Sequence, residues 1–132
     1  MAKSKKSKGH FGGLRTAVYY VSDVKKARSW YVKVLGVKPY FNMPQYYVGF
    51  NVGGFELGLH PDSKKRAGKS GGVDVYWGVT SASASYNRLI KLGAKQFTAV
   101  QDVGEGIKLG VVKDPFGNLF GVIENPHFKI AS

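Results

Sequence analysis

The chain has no cysteine, only two methionines, only eight acidic residues against twenty lysines and arginines, and no apolar run long enough to cross a bilayer. The absence of cysteine excludes a disulfide framework, thiol nucleophiles and Cys-ligated metal sites, and is compatible with a reducing compartment. Charge at the N-terminus without a following apolar segment excludes a secretory signal of the usual form, so the expectation is a cytoplasmic protein with no membrane partner. No Ser-His-Asp or Cys-His set can be assembled. Gly104-Glu105-Gly106 is followed by an apolar strand pattern, not a helix, so it is a hairpin turn and not a phosphate loop. With 43% apolar residues in 132 positions, the chain can still bury one compact core.

What is present is a repeat. At an offset of about 58 residues, Thr16-Ala17-Val18-Tyr19-Tyr20-Val21 falls on Asp74-Val75-Tyr76-Trp77-Gly78-Val79, two β-branched and aromatic runs of strand length. At about 57, Leu35-Gly36-Val37-Lys38 falls on Leu92-Gly93-Ala94-Lys95, each Gly in the place of a helix C-terminal cap. The intervening segments carry helical periodicity. The first, capped at Ser22 or Asp23, puts Val24, Ala27, Tyr31 and Val34 on one face and Lys25, Lys26 and Arg28 outside. The second, capped at Thr80 or Ser81, puts Ala82, Tyr86, Leu89 and Ile90 inward.

Three strands are expected after each helix: 38–41, 46–52 and 55–60 in the first half, then 95–100, 107–113 and 118–124 in the second. Gly53-Gly54 makes the tight turn before Phe55-Glu56-Leu57-Gly58-Leu59. Asp114-Pro115-Phe116-Gly117-Asn118 makes the corresponding turn before Leu119-Phe120-Gly121-Val122-Ile123-Glu124. The predicted fold is α+β: two tandem βαβββ modules forming a curved mixed sheet with a cleft. The boundaries expected are a basic leader over 1–13, a first module over 14–60, a basic linker over 61–72, a second module over 73–125 and a tail over 126–132. Trp30 and Trp77 are expected between helix and sheet, and His10 and His127 at the surface without partners.

The paired modules, the helix ending in Val-Leu-Gly and the Asp-Pro-Phe-Gly-Asn turn resemble the vicinal oxygen chelate superfamily, which includes glyoxalase I, extradiol dioxygenases and the fosfomycin- and bleomycin-resistance proteins. The resemblance runs from Leu14 to Asn125 and implies the fold; for function it implies a choice among isomerisation, ring cleavage, thiol addition and ligand sequestration. It also implies where a metal would sit in metal-dependent members, at one residue on the first and one on the last strand of each module. Those positions are Thr16, Glu56, Asp74 and Gly121, which offer two carboxylates, one neutral hydroxyl and no imidazole. No cofactor is therefore expected, although a divalent metal in a rearranged site using His60 is conceivable.

Strand alternation places Thr16, Val18 and Tyr20 on one face, as it does Glu56, Gly58 and His60, and Asp74, Tyr76 and Gly78. Thr16, Tyr20, Glu56, His60, Asp74 and Tyr76 are thus the candidate ligand-binding residues, in an aromatic and acidic cleft suited to a planar or cationic organic ligand. Tyr20 and Tyr76 are equally compatible with core packing. The resemblance to the bleomycin-resistance branch implies a homodimer. A lyase, isomerase or dioxygenase of the same superfamily is the alternative, working either through an irregular metal site or with Glu56 and Asp74 as catalytic acid and base; if those two lie close together in a dry cleft, one would have a raised pKa. The net charge of +12 opens a second alternative, a basic nucleic-acid or polyanion binder, through Lys3, Lys5, Lys6 and Lys8 of the leader and Lys64, Lys65, Arg66 and Lys69 of the linker. The bland reading of those runs, as solvated basic segments, is favoured because no nucleic-acid motif accompanies them.

Overall fold

The computed structural model describes residues 9–10, 14–62 and 74–127. Most of the expected leader, linker and tail lies outside these residues. Each half folds as β-α-β-β-β. The first comprises β1 (Thr16–Val21), α1 (Val24–Leu35), β2 (Phe41–Met43), β3 (Tyr47–Val52) and β4 (Phe55–Pro61). The second comprises β5 (Tyr76–Gly78), α2 (Ala82–Lys91), β6 (Lys95–Gly104), β7 (Ile107–Lys113) and β8 (Leu119–Glu124). No described helix is long and apolar enough to cross a membrane.

The strands form two four-stranded mixed sheets, one for each of the two βαβββ modules expected from sequence, ordered β1-β4-β3-β2 and β5-β8-β7-β6. In each, the first strand runs parallel to the last and the remaining pairs are antiparallel. Both β3-β4 and β6-β7 close through two-residue turns, Gly53-Gly54 (φ 60° and 95°) and Glu105-Gly106 (φ 58° and 78°). Two successive positive φ angles match the twist of a tight hairpin.

Local chemistry sets the element ends. The Asp23 side chain accepts from the Lys26 N–H at 3.0 Å, and Gly36 closes α1 with φ 75° and its N–H on Val32 O at 2.9 Å. Helix α2 starts with two caps, Ser81 Oγ on the Ala84 N–H at 3.2 Å and Glu124 Oε1 on the Ala82 N–H at 3.0 Å. Strand β2 begins three residues later than expected, because Pro39 has no N–H to donate and pairing starts with the Tyr40 N–H on Gly49 O at 2.9 Å. Strand β6 runs on to Gly104, past the expected end at 100, through a bulged register with β7. Ile90, expected inward, is 37% exposed, since the buried stripe of α2 is Ala82, Tyr86 and Leu89.

The helix-side face of each sheet is the core face. Ala17, Tyr19 and Val21 of β1, Val48 and Phe50 of β3, and Leu57 and Leu59 of β4 are buried with Val24, Ala27 and Tyr31 of α1. Full burial of a Leu or Phe side chain contributes about 1.5–3 kcal/mol, so this face dominates the stability of the first module.

The same core faces join the modules. Trp77 and Phe120 stack with centroids 6.4 Å apart, and Phe120 lies 6.2 Å from Tyr19 and 5.9 Å from Tyr31. The tryptophans, expected between helix and sheet, also bridge the halves: Trp30 Nε1 donates to Leu92 O at 2.7 Å, and Trp77 Nε1 to the Tyr19 hydroxyl at 3.0 Å. The Asp-Pro-Phe-Gly-Asn turn is part of this junction. Asp114, 3% exposed, accepts from the Phe116 and Asn118 N–H groups through Oδ1 and from the Tyr31 hydroxyl through Oδ2, at 2.6 Å for the last. Asn118 Nδ2 donates to Tyr20 O at 2.7 Å. Burial is the main influence on Asp114 and lifts its pKa above the ordinary value, against the lowering effect of these donors.

Candidate functional site

The face of the first sheet turned away from α1 carries the side chains with chemistry. Parallel pairing of β1 with β4 sets Thr16 beside Glu56, Val18 beside Gly58 and Tyr20 beside His60, as the alternation predicted. Antiparallel pairing of β3 with β4 sets Gly49 opposite Gly58. This glycine pair is the floor of the site. A methyl group on Gly58 would lie 1.9 Å from the Tyr47 hydroxyl oxygen, and one on Gly49 would lie 2.6 Å from Glu56 Oε2 and 3.1 Å from a Tyr40 ring carbon. Two tyrosines and a glutamate therefore lie flat against backbone, where any side chain would exclude them.

On that floor Glu56 is held from both sides. The Tyr47 hydroxyl donates to Oε1 at 2.8 Å and lies 3.4 Å from Thr16 Oγ1, while the Tyr40 hydroxyl makes a short hydrogen bond to Oε2. Partial burial pushes the Glu56 pKa up, but the hydroxyls of Tyr40, Thr16 and Tyr47 together outweigh it and hold the carboxyl below its ordinary value. Both phenols are raised, Tyr40 chiefly through its bond to Glu56, and Tyr47 chiefly through burial and against the lowering effect of Thr16. Glu56 is accordingly an anion at neutral pH.

Aromatic rings extend the site along the sheet. His60 lies 5.3 Å from Tyr20 and 6.3 Å from Tyr47 between centroids, and Phe41 lies 6.3 Å from Tyr47. His60 Nδ1 is 2.9 Å from Pro61 O. A carbonyl only accepts, so Nδ1 is the donor in this contact. His127, for which no partner was expected, has Nε2 2.7 Å from Glu105 O.

Of the sequence-predicted site residues, the structure brings together Thr16, Tyr20, Glu56 and His60. Asp74 and Tyr76 come from the second module. Tyr76 opens β5 of the second sheet, and Asp74 lies just before that strand. The influences on the Glu56 pKa are burial and the hydroxyls of Tyr40, Thr16 and Tyr47, with no carboxylate among them. Register separates Asp74 from Gly121: it is Tyr76 that pairs with Gly121, and a methyl group there would lie 2.6 Å from a Tyr76 ring carbon.

The metal positions of the superfamily can be tested on these contacts. Thr16 is neutral, both Glu56 oxygens accept from phenols, and the Tyr76 ring covers Gly121. Among the described residues no three His, Cys, Asp or Glu side chains come together. This donor set does not fit a three- or four-ligand metal site.

Tyr40 and Tyr47 were missed from sequence. A signal for Tyr47 existed: counting outward from Gly53-Gly54 puts Gly49 opposite Gly58, a pair with no side chains, and Tyr47 shares the face of Gly49. For Tyr40, ahead of a strand whose start was misplaced, there was none.

An uncharacterized protein of Mycobacterium bovis is 32% identical over 112 residues, covering 74% of each chain. One of Mycobacterium tuberculosis has the same identity over 112 residues, covering 74% of this chain and 66% of its own. Among solved structures, a glyoxalase-related enzyme from Fulvimarina pelagi superposes with a TM-score of 0.75 at 17% identity, covering 92% of this chain and 94% of that one. Lactoylglutathione lyase from Agrobacterium tumefaciens does so with a TM-score of 0.70 at 19% identity, covering 91% and 100%. At these identities the structural likeness is one of fold. The model of the Glyoxalase/Bleomycin resistance protein/Dioxygenase superfamily matches residues 10–122, and the chain belongs to that superfamily.

Proposed function

We propose that this protein binds a small organic ligand, planar or cationic, on the open face of its first sheet, without a catalytic metal. The observation that carries the reading is the Glu56 carboxylate, ionised and held between Tyr40 and Tyr47 above the Gly49-Gly58 floor. A fixed negative charge beside exposed aromatic rings attracts a cation through charge and through the ring quadrupoles, and flat rings give a planar ligand a stacking surface. A depressed pKa suits Glu56 to this role better than to that of a proton donor, which has to hold its proton at working pH. The reading extends to a cytoplasmic homodimer, which sedimentation or light scattering would check.

The test is a thermal-shift screen with planar amines and amidines, followed by titration calorimetry on any hit. A ligand at about 100 times its Kd should stabilise the fold by about 2.7 kcal/mol. Glu56→Gln should keep the fold and weaken the hit at least about tenfold, corresponding to about 1.4 kcal/mol. A hit that binds Glu56→Gln as tightly as the parent protein would remove this site from the function.

A further inference from the structure

The two oxygens of Glu56 are held very differently. Oε1 accepts from Tyr47, whose hydroxyl also meets Thr16 Oγ1, whose ring rests on Gly58 and whose other neighbours are Phe41 and His60. Tyr47 is therefore fixed. Oε2 accepts from Tyr40, which is 66% exposed, follows Pro39 and stands just before an edge strand of three residues. Tyr40 can swing away from the sheet at the cost of one exposed hydrogen bond and the contact of its ring edge with Gly49, whereas Tyr47 would have to leave a place packed against Gly58, Phe41 and His60.

From this asymmetry the geometry points to Tyr40 as a displaceable stand-in for the ligand: the ligand's own N–H takes over Glu56 Oε2, and the Tyr40 ring, freed from the carboxylate, covers the ligand. The inference rests on the binding reading above and narrows its ligand class. A cation that replaces a phenol O–H must itself donate a hydrogen bond, so ammonium, amidinium, guanidinium and protonated heteroaromatic ligands qualify. Quaternary ammonium ions, which have no N–H, do not. Tyr40 is thus a specificity residue that competes with the ligand in the free protein, and its hydroxyl opposes binding while its ring favours it.

Two probes of equal charge separate these effects: benzamidinium, planar with N–H donors, and phenyltrimethylammonium, with the same ring and no donor. Titrated by calorimetry or NMR, the parent protein should bind benzamidinium at least about tenfold more tightly, as a hydrogen bond to a charged acceptor requires. Tyr40→Phe keeps the ring and deletes the competing hydroxyl. It should bind benzamidinium about fivefold more tightly and leave phenyltrimethylammonium unchanged, with melting temperature and circular dichroism confirming the fold. Equal affinity for the two cations, or unchanged or weaker benzamidinium binding by Tyr40→Phe, overturns the inference and leaves the binding reading standing. If neither cation binds, the binding reading itself falls and this inference with it.

Discussion

Gly58→Ala isolates the site from the fold. The added methyl would sit 1.9 Å from the Tyr47 hydroxyl oxygen and 2.4 Å from the ring carbon bearing it, where ordinary contacts begin at 3.4 Å. The obstacle is the far end of a side chain, so relief comes from rotating Tyr47 off the sheet by roughly 1.5 Å or more, with the backbone left in place. That rotation breaks the 2.8 Å bond to Glu56 and the contact with Thr16. A partly exposed hydrogen bond to a carboxylate is worth about 1–2 kcal/mol, and replacing Gly by Ala returns about 0.4–1 kcal/mol by restricting the unfolded chain. The expected net loss is about 0.5–1.5 kcal/mol, a fall in Tm of roughly 2–6 °C. The loss should depend on pH. Because Glu56 is held below its ordinary pKa, its contacts stabilise the fold above the unfolded value, and this contribution disappears as pH falls through the folded value. The gap between parent and variant in urea unfolding should therefore narrow on acidification through the carboxylate range. Gly121→Ala is the contrast. There the methyl would meet Val75 O at 2.7 Å as well as the Tyr76 ring, and Val75 O accepts from the Gly121 N–H at 3.2 Å, so the β5-β8 pairing itself must yield. Its expected cost is about 2–3 kcal/mol. Equal losses in the two variants, or a Gly58→Ala loss that stays constant with pH, would refute the reasoning.

Two further outcomes concern the module junction. Tyr31→Phe deletes a buried hydroxyl and leaves Asp114 Oδ2 without its donor; chemical denaturation at neutral pH should show a loss of about 2–3 kcal/mol. Asp114 has a raised pKa, so its stabilising contribution is complete below the unfolded value and is lost as pH rises through the folded one. Asp114→Asn, which keeps an acceptor for the Phe116 and Asn118 N–H groups, should gain on the parent protein as pH rises through that window; a stability difference independent of pH would contradict the assignment.

The repeat, the element order and the faces of β1 and β4 were legible in the sequence because they rest on local rules. Asp23 and Gly36 cap α1 as their chemistry requires, Gly53-Gly54 makes the tight turn, and alternation alone put Thr16, Tyr20, Glu56 and His60 on one face. How Asp74 and Tyr76 stand to that face was not legible, because which sheet faces meet depends on how the halves pack. The turn at Asp114 was legible as a turn, yet its place in the junction was not, since its partner Tyr31 lies 83 residues away.

Sequence alone thus determined the modules, their caps and hairpins, and the residue types available to the open face, since strand alternation and backbone sterics act over a few residues. Only the tertiary structure decided that the modules join through Tyr19, Tyr31, Trp77 and Phe120 on their core faces. It alone decided, too, that Glu56 ends between two tyrosines above paired glycines, because apposition of Tyr40 and Tyr47 on one carboxylate arises from strand register and steric vacancy across the sheet.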